Sequence, residues 1–144
     1  MTEQIIEELF GSFDFSILSS SDFKEDSVRE EIILPILHAL GYSPSGLNQI
    51  IRSRSLLNPF VNIGSQKRRI FLIPDYLLAV EGKPAWILDA KAPDENIASG
   101  ENVEQAYSYA IHPDVRVKYY ALSNGREFTI FNISMVNPVL YFQV

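Results

Sequence analysis

Two apolar runs separated by three turn-forming residues constrain this chain more than any other feature: RRIFLIPDYLLAV and PAWILDAKA, with Glu81-Gly82-Lys83 between them. Such runs read as the two strands of a tight hairpin. With Gly82 and Lys83 as the loop, Glu81 faces Pro84, and counting back along both strands sets Asp75 opposite Ala90, to within one residue. Asp75 then lies beside Asp89 and Lys91. Side chains alternate along a strand, so Asp89 and Lys91 share a face while Ala90 points to the other. The flanks, Ile70 to Ile73, Tyr76 to Val80 and Trp86 to Leu88, mark the strands as central and buried, where unpaired charge is costly.

Two carboxylates and an ammonium therefore converge at one end of an apolar hairpin. One reading is structural: Asp89 and Lys91 are strand-end charges, one carboxylate being paired with the lysine. The other is chemical. Two adjacent carboxylates repel each other, and a hard divalent cation such as Mg2+ relieves that repulsion while keeping water ligands. The lysine adds a positive charge where a phosphate would sit.

Around the hairpin the pattern predicts a short helix over the first ten residues, with Ile5, Ile6, Leu9 and Phe10 on one side. A longer helix is predicted from Phe23 to Leu40, ending at Gly41 and disturbed by Pro35. Residues 42–66, broken by Pro44, Gly46, Pro59 and Gly64, read as loop around a strand signal near Gln49 to Leu56. A helix over residues 100–111 follows, stopped by His112-Pro113, and then VKYYALS, EFTIFNI and VLYFQV read as strands, with Asn124-Gly125 turning between the first two. The expectation is one domain over residues 1–144, of α/β (α+β) class, with four to six strands in a mixed sheet flanked by helices.

Composition narrows the chemistry. Cysteine is absent, which excludes disulfides, zinc–thiolate clusters and thiol catalysis, and suggests a reducing cytoplasm. His38 and His112 stand among apolar or turn residues without ligand spacing. The opening MTEQIIEELF lacks the basic start and apolar core of a signal peptide, and no run approaches membrane-spanning length. A formal charge of −6 argues against a general nucleic-acid coat protein. Even so, Arg52, Arg54, Lys67, Arg68 and Arg69 supply five of the twelve basic side chains within a short segment. They are candidate phosphate contacts by charge, with a solvated basic loop as the equal alternative.

Pro74-Asp75, thirteen intervening residues and then Asp89-Ala90-Lys91 resembles the PD-(D/E)xK nuclease signature. EDSVREEIILPILHALGY, DAKAPDE and ALSNGREFTIF resemble, in the same order, landmarks of the N-terminal domain of type I restriction enzyme R subunits. Gln105 and Tyr109 look like that family's Q-x-x-x-Y motif and lie on one helix face, although such a pair is also an ordinary polar edge of an amphipathic helix.

The resemblance implies a restriction-endonuclease-like mixed central sheet and Mg2+-dependent hydrolysis of DNA phosphodiesters. It assigns Asp75 and Asp89 to the metal and Lys91 to the attacking water or the transition state. Gln105 and Tyr109 would support DNA or the site. Glu25, four residues before Arg29, is the preferred additional acid, with Glu30 and Glu31 as alternatives on the same helix. Double-stranded DNA is the implied partner, with other restriction–modification subunits or a second copy left open. Two rivals stay in view: a non-catalytic DNA-binding module of the same fold, and an assembly domain whose aromatic C-terminal strands leave a sheet edge for a partner.

Overall fold

The computed structural model describes residues 3–52, 60–69 and 74–144. Six strands form a mixed sheet in the order β1-β4-β5-β6-β7-β8: β1 Gln49–Arg52, β4 Tyr76–Val80, β5 Lys83–Ala90, β6 Tyr119–Ser123, β7 Glu127–Asn132 and β8 Leu140–Gln143. Only β5 and β6 run parallel, and the crossover between them carries helix α4, Glu101–Ala110. The remaining pairs are antiparallel. A separate two-stranded ribbon joins β2, Phe60–Ile63, to β3, Gln66–Arg69.

The long helical segment packs on one face of the sheet and α4 on the other. Alternation along the strands explains both layers. Tyr76, Leu78, Leu88, Ala90 and Ala121 meet Val28, Ile32, Ile33 and Leu37. Leu77, Ile87, Tyr120 and Leu122 meet Ala106, Tyr109 and Ala110. Helix α1, Glu3–Phe10, and a 3-10 turn, Phe15–Ser19, complete the first layer through Phe10, Phe13 and Phe15.

The helix expected from Phe23 to Leu40 begins at Glu25 and is not uniform. Its α-helical ends, α2 Glu25–Val28 and α3 Leu34–Ala39, enclose a π-helical turn, Arg29–Ile33. Pro35 supplies the reason: it has no N–H for the Glu31 carbonyl, and its ring crowds that group, so the preceding turn widens. The Leu34 N–H accordingly donates to the Arg29 carbonyl five residues back. At the other end Gly41, with φ of +94°, and Tyr42 donate to the carbonyls of His38 and Leu37, the Schellman stop that a glycine there permits.

Two expectations need correction. The hairpin loop is Glu81-Gly82, both residues with positive φ (51° and 80°), and Val80 pairs with Lys83. That is a two-residue turn matched to strand twist. A register shift at Leu78/Ala79 then moves the pairing by one, so Tyr76 faces Leu88 and the ladder leads to Asp75 opposite Asp89, the neighbour of Ala90 and within the one-residue margin of the count. Secondly, the run read as one strand is divided: Gln66–Arg69 belongs to the β2–β3 ribbon and Tyr76–Val80 to the main sheet. Residues 42–66, read mainly as loop, contain β1 and most of the ribbon. Residues 53–59 and 70–73 lie outside the described ones. No helix among the described residues is long and apolar enough to cross a membrane.

Candidate active site

The hairpin brings Asp75 and Asp89 together where β4 begins and β5 ends, and the two carboxylates take over where the strand ladder stops. The Asp75 N–H donates to Asp89 Oδ1 at 3.0 Å, and the Ala90 N–H donates to Asp75 Oδ2 at 2.8 Å. Each aspartate thus accepts a main-chain hydrogen bond across the hairpin. These bonds fix both carboxylates relative to the backbone rather than leaving them as free rotamers.

Because the pair sits at a sheet end, both helical layers reach it. From the first, the Arg29 guanidinium donates to Asp75 Oδ1 at 3.1 Å and to Glu25 Oε1 at 3.4 Å. The Tyr76 hydroxyl donates to the Arg29 carbonyl at 3.3 Å, so the carbonyl at the start of the π turn is tied to the sheet. From the second layer, Gln105 Oε1 accepts from Lys91 Nζ at 3.0 Å. The Lys91 N–H itself extends the β5–β6 ladder by donating to the Ser123 carbonyl at 2.8 Å. A main-chain bond at one end and Gln105 at the other define the position of the Lys91 ammonium.

Electrostatics single out Asp89. It is 4% exposed, and burial, followed by repulsion from Asp75, raises its carboxyl from the ordinary range to about 7. The Asp75 N–H and the Lys91 charge only partly offset this. Glu25 is half-buried and is also shifted upward, first by burial and then by Asp75, against the opposing charges of Lys91 and Arg29. Without a further cation, negative charge is in excess here.

The structure therefore gathers Glu25, Asp75, Asp89, Lys91 and Gln105 at one sheet end. Glu30 and Glu31 are exposed and line a separate depression with Phe13 and Ile17. Tyr109, one turn beyond Gln105, is 1% exposed in the apolar layer with Leu77, Ile87 and Phe131, and its packing seats α4 on the sheet. Among the described residues no three acidic or histidine side chains form a ready-made metal cluster, and Arg29 engages two of the three carboxylates. Arg29 is the member of the site that sequence reasoning passed over. Its spacing of four from Glu25 was the available signal, but its bond to Asp75 depends on tertiary structure.

Of the basic candidates, Arg52 ends β1 opposite Tyr76, with its Cζ 5.1 Å from the centre of that ring. The exposed guanidinium is thus one residue in register from Asp75. Arg54 lies outside the described residues, as do the side chains of Lys67, Arg68 and Arg69, whose backbone forms β3.

No family model matches the sequence, and no curated protein matches it. Among solved structures, the chain is similar to a fragment described as the HsdR subunit of a type I restriction enzyme from Vibrio vulnificus YJ016, with a TM-score of 0.58 and 21% identity. The match covers 82% of this chain and 22% of that one, so the chain spans about a fifth of its neighbour's length. This protein is therefore a mixed six-stranded α+β chain with a restriction-enzyme subunit fragment as a structural neighbour.

Proposed function

We propose that this chain is a Mg2+-dependent DNA endonuclease unit of the PD-(D/E)xK type, related to the nuclease part of a type I restriction R subunit. The carrying observation is the reciprocal Asp75–Asp89 pair with Lys91 held beside it by Gln105. The donor chemistry fits the metal. Two fixed carboxylates, with Glu25 alongside, offer the hard oxygen ligands Mg2+ takes, and Asp89, raised first by burial and then by Asp75, is a carboxylate that a bound cation would relieve. Asp75 and Asp89 would hold the ion, and Arg29 would release Asp75 to admit it. When bound, Mg2+ supplies Lewis-acid charge at the phosphate oxygens.

The remaining chemistry belongs to the chain's own residues. The Lys91 ammonium donates to the attacking water or to a phosphate oxygen and offsets charge developing there. Gln105 positions that ammonium, while Glu25 adds an acid at the edge of the site. Double-stranded DNA is the substrate and other restriction–modification subunits are the natural partners. An assembly role is the second reading, supported by edge strand β8, where Leu140 and Tyr141 are exposed.

Calorimetric titration with Mg2+ and a plasmid-nicking assay test the proposal. Wild type should bind the ion and nick plasmid, whereas Asp89→Asn and Lys91→Ala should remain folded and lose nicking. A wild type that neither binds Mg2+ nor cuts DNA would overturn the nuclease reading in favour of a non-catalytic binding or assembly domain, and an Asp89→Asn protein as active as wild type would remove Asp89 from the metal site.

A further inference from the structure

Two clefts, one lined by Gln105 and the other by Ala92, the residue after Lys91, differ in the charge of their linings. One, of about 420 Å3, is bounded by Glu101, Asn102, Glu104 and Gln105 at the start of α4. The other, of about 480 Å3, lies between the 3-10 turn and the residues after Lys91, where Ser19, Ser20, Ser21, Lys24 and Arg126 line it together with Leu18, Phe23, Ala92 and Pro93. Asp94 is the one carboxylate on that second lining among the described residues. The first lining carries two carboxylates, with the Lys91 ammonium bonded to its Gln105, and the second carries two cations, three hydroxyls and one carboxylate.

The second cleft is also joined to the site by the chain itself. Lys24 immediately precedes Glu25, and Ala92 in the cleft wall immediately follows Lys91. Arg126 leaves the β6–β7 turn three residues after Ser123, which pairs with Ala90. Its backbone is fixed: its N–H donates to Asn124 Oδ1 at 3.0 Å and its carbonyl accepts from the Val144 N–H at 2.9 Å. Its guanidinium donates to Ser19 Oγ at 3.3 Å, which holds the charge on the rim, where Ser19, Lys24 and Arg126 are all exposed.

We propose that this cleft is a phosphate track, in which Lys24, Arg126 and the Ser19–Ser21 hydroxyls hold backbone phosphates of the nucleic-acid strand next to the bond at Lys91. Cations with hydroxyl donors are the groups that position a sugar–phosphate backbone, and they do so without reading sequence. The acidic cleft repels the same strand, so the strand leaves the site on the Arg126 side. The track rests on the nuclease reading above. It also moves the main phosphate contacts from the basic segment containing Arg52 to residues that the sequence scatters over a hundred positions.

The test is a fluorescence-anisotropy titration of a short labelled duplex at several salt concentrations, with Ca2+ replacing Mg2+ to keep the duplex intact. The full chain is compared with Lys24→Gln/Arg126→Gln and with Glu101→Gln/Glu104→Gln, after melting curves establish that both variants are folded. Loss of two phosphate contacts should make the plot of log affinity against log salt shallower by about two for the first variant, while the second should bind at least as tightly as wild type. An unchanged slope in Lys24→Gln/Arg126→Gln overturns the track and leaves the nuclease reading standing if wild type still cuts. Weaker binding by Glu101→Gln/Glu104→Gln overturns the direction of the strand. Absence of duplex binding by wild type removes both the track and the nuclease reading.

Discussion

Replacing Asp89 by Asn should stabilise the metal-free protein above neutral pH and, in acid, leave only the amide's cost of about 1 kcal/mol. The Asp89 carboxyl rises from 3.8 to about 7 on folding, chiefly through burial and secondly through Asp75. At about 1.4 kcal/mol per pH unit, holding it ionised costs the fold up to about 4 kcal/mol. Below about pH 4 the group is protonated in both folded and unfolded chains, and this cost is absent. Between about pH 4 and 7 the folded protein binds the extra proton, so stability declines as pH rises until Asp89 ionises. Asn keeps an oxygen to accept the Asp75 N–H but introduces an amide that needs a partner, which costs about 1 kcal/mol. A net gain of roughly 2–3 kcal/mol at pH 8 follows, or roughly 5–10 °C in Tm for a chain of this size. Melting curves in EDTA from pH 4 to 8 measure it as the difference between wild type and variant. A difference that stays constant with pH, or an Asn variant less stable at pH 8, would refute the assignment of a buried, repelled carboxylate.

Other substitutions separate the remaining contacts. Arg29→Gln should lower metal-free stability by roughly 1–2 kcal/mol, because a partly buried Asp75 loses its cation, and should raise Mg2+ affinity in calorimetry; unaltered affinity would show that Arg29 does not compete with the ion. Asp75→Asn should destabilise the metal-free protein in denaturant titrations, opposite in sign to Asp89→Asn, since Arg29 loses the nearer of its two carboxylates and keeps only Glu25. Gln105→Ala should reduce kcat roughly ten- to a hundredfold through a misplaced Lys91, with KM unchanged. Gln105→Glu, which can still accept from the lysine, should restore most of that loss, and equal loss in both variants would deny Gln105 a positioning role. Gly125→Ala should cost roughly 1–3 kcal/mol by denaturant unfolding, because its φ is +85° and a Cβ would lie 3.0 Å from Leu18 Cδ2.

The sheet was legible in the sequence wherever apolar residues were continuous and the turn residues distinctive. The Glu81-Gly82 hairpin, the Asn124-Gly125 turn and the two principal helices carry such signals. A sequence count could place Asp75 near Asp89, but it ran an uninterrupted ladder past Pro84, which faces Ala79 at the irregularity and is the local signal of it. The β2–β3 ribbon was hidden for a different reason. Its second strand is Gln-Lys-Arg-Arg, which lacks β-branched or aromatic side chains, and its flanks contain Pro59 and Gly64, so local preference favours loop. Arg29 belongs to a third class. Its bond to Asp75 spans 46 positions, and the π turn that carries it is set by Pro35 six residues further on.

The two aspartates show why a motif does not determine the physical role of its members. In the sequence they are equivalent carboxylates on paired strands, and each accepts one main-chain N–H across the hairpin. Only Asp75 has a protein cation at hydrogen-bonding distance, and that cation is shared with Glu25 on the helix. Only Asp89 is withdrawn from water enough to hold a proton to about pH 7. In the absence of metal, then, Asp75 works for the fold by fastening the π turn at Arg29 to the sheet, while Asp89 works against it. A divalent ion entering between them would relieve Asp89 and at the same time cost Asp75 its partner, so the gain on binding comes mainly from the carboxylate that the fold tolerates least. The uneven partnering of one motif therefore makes opposite stability changes the physical signature of this site, independent of whether any strand is cut.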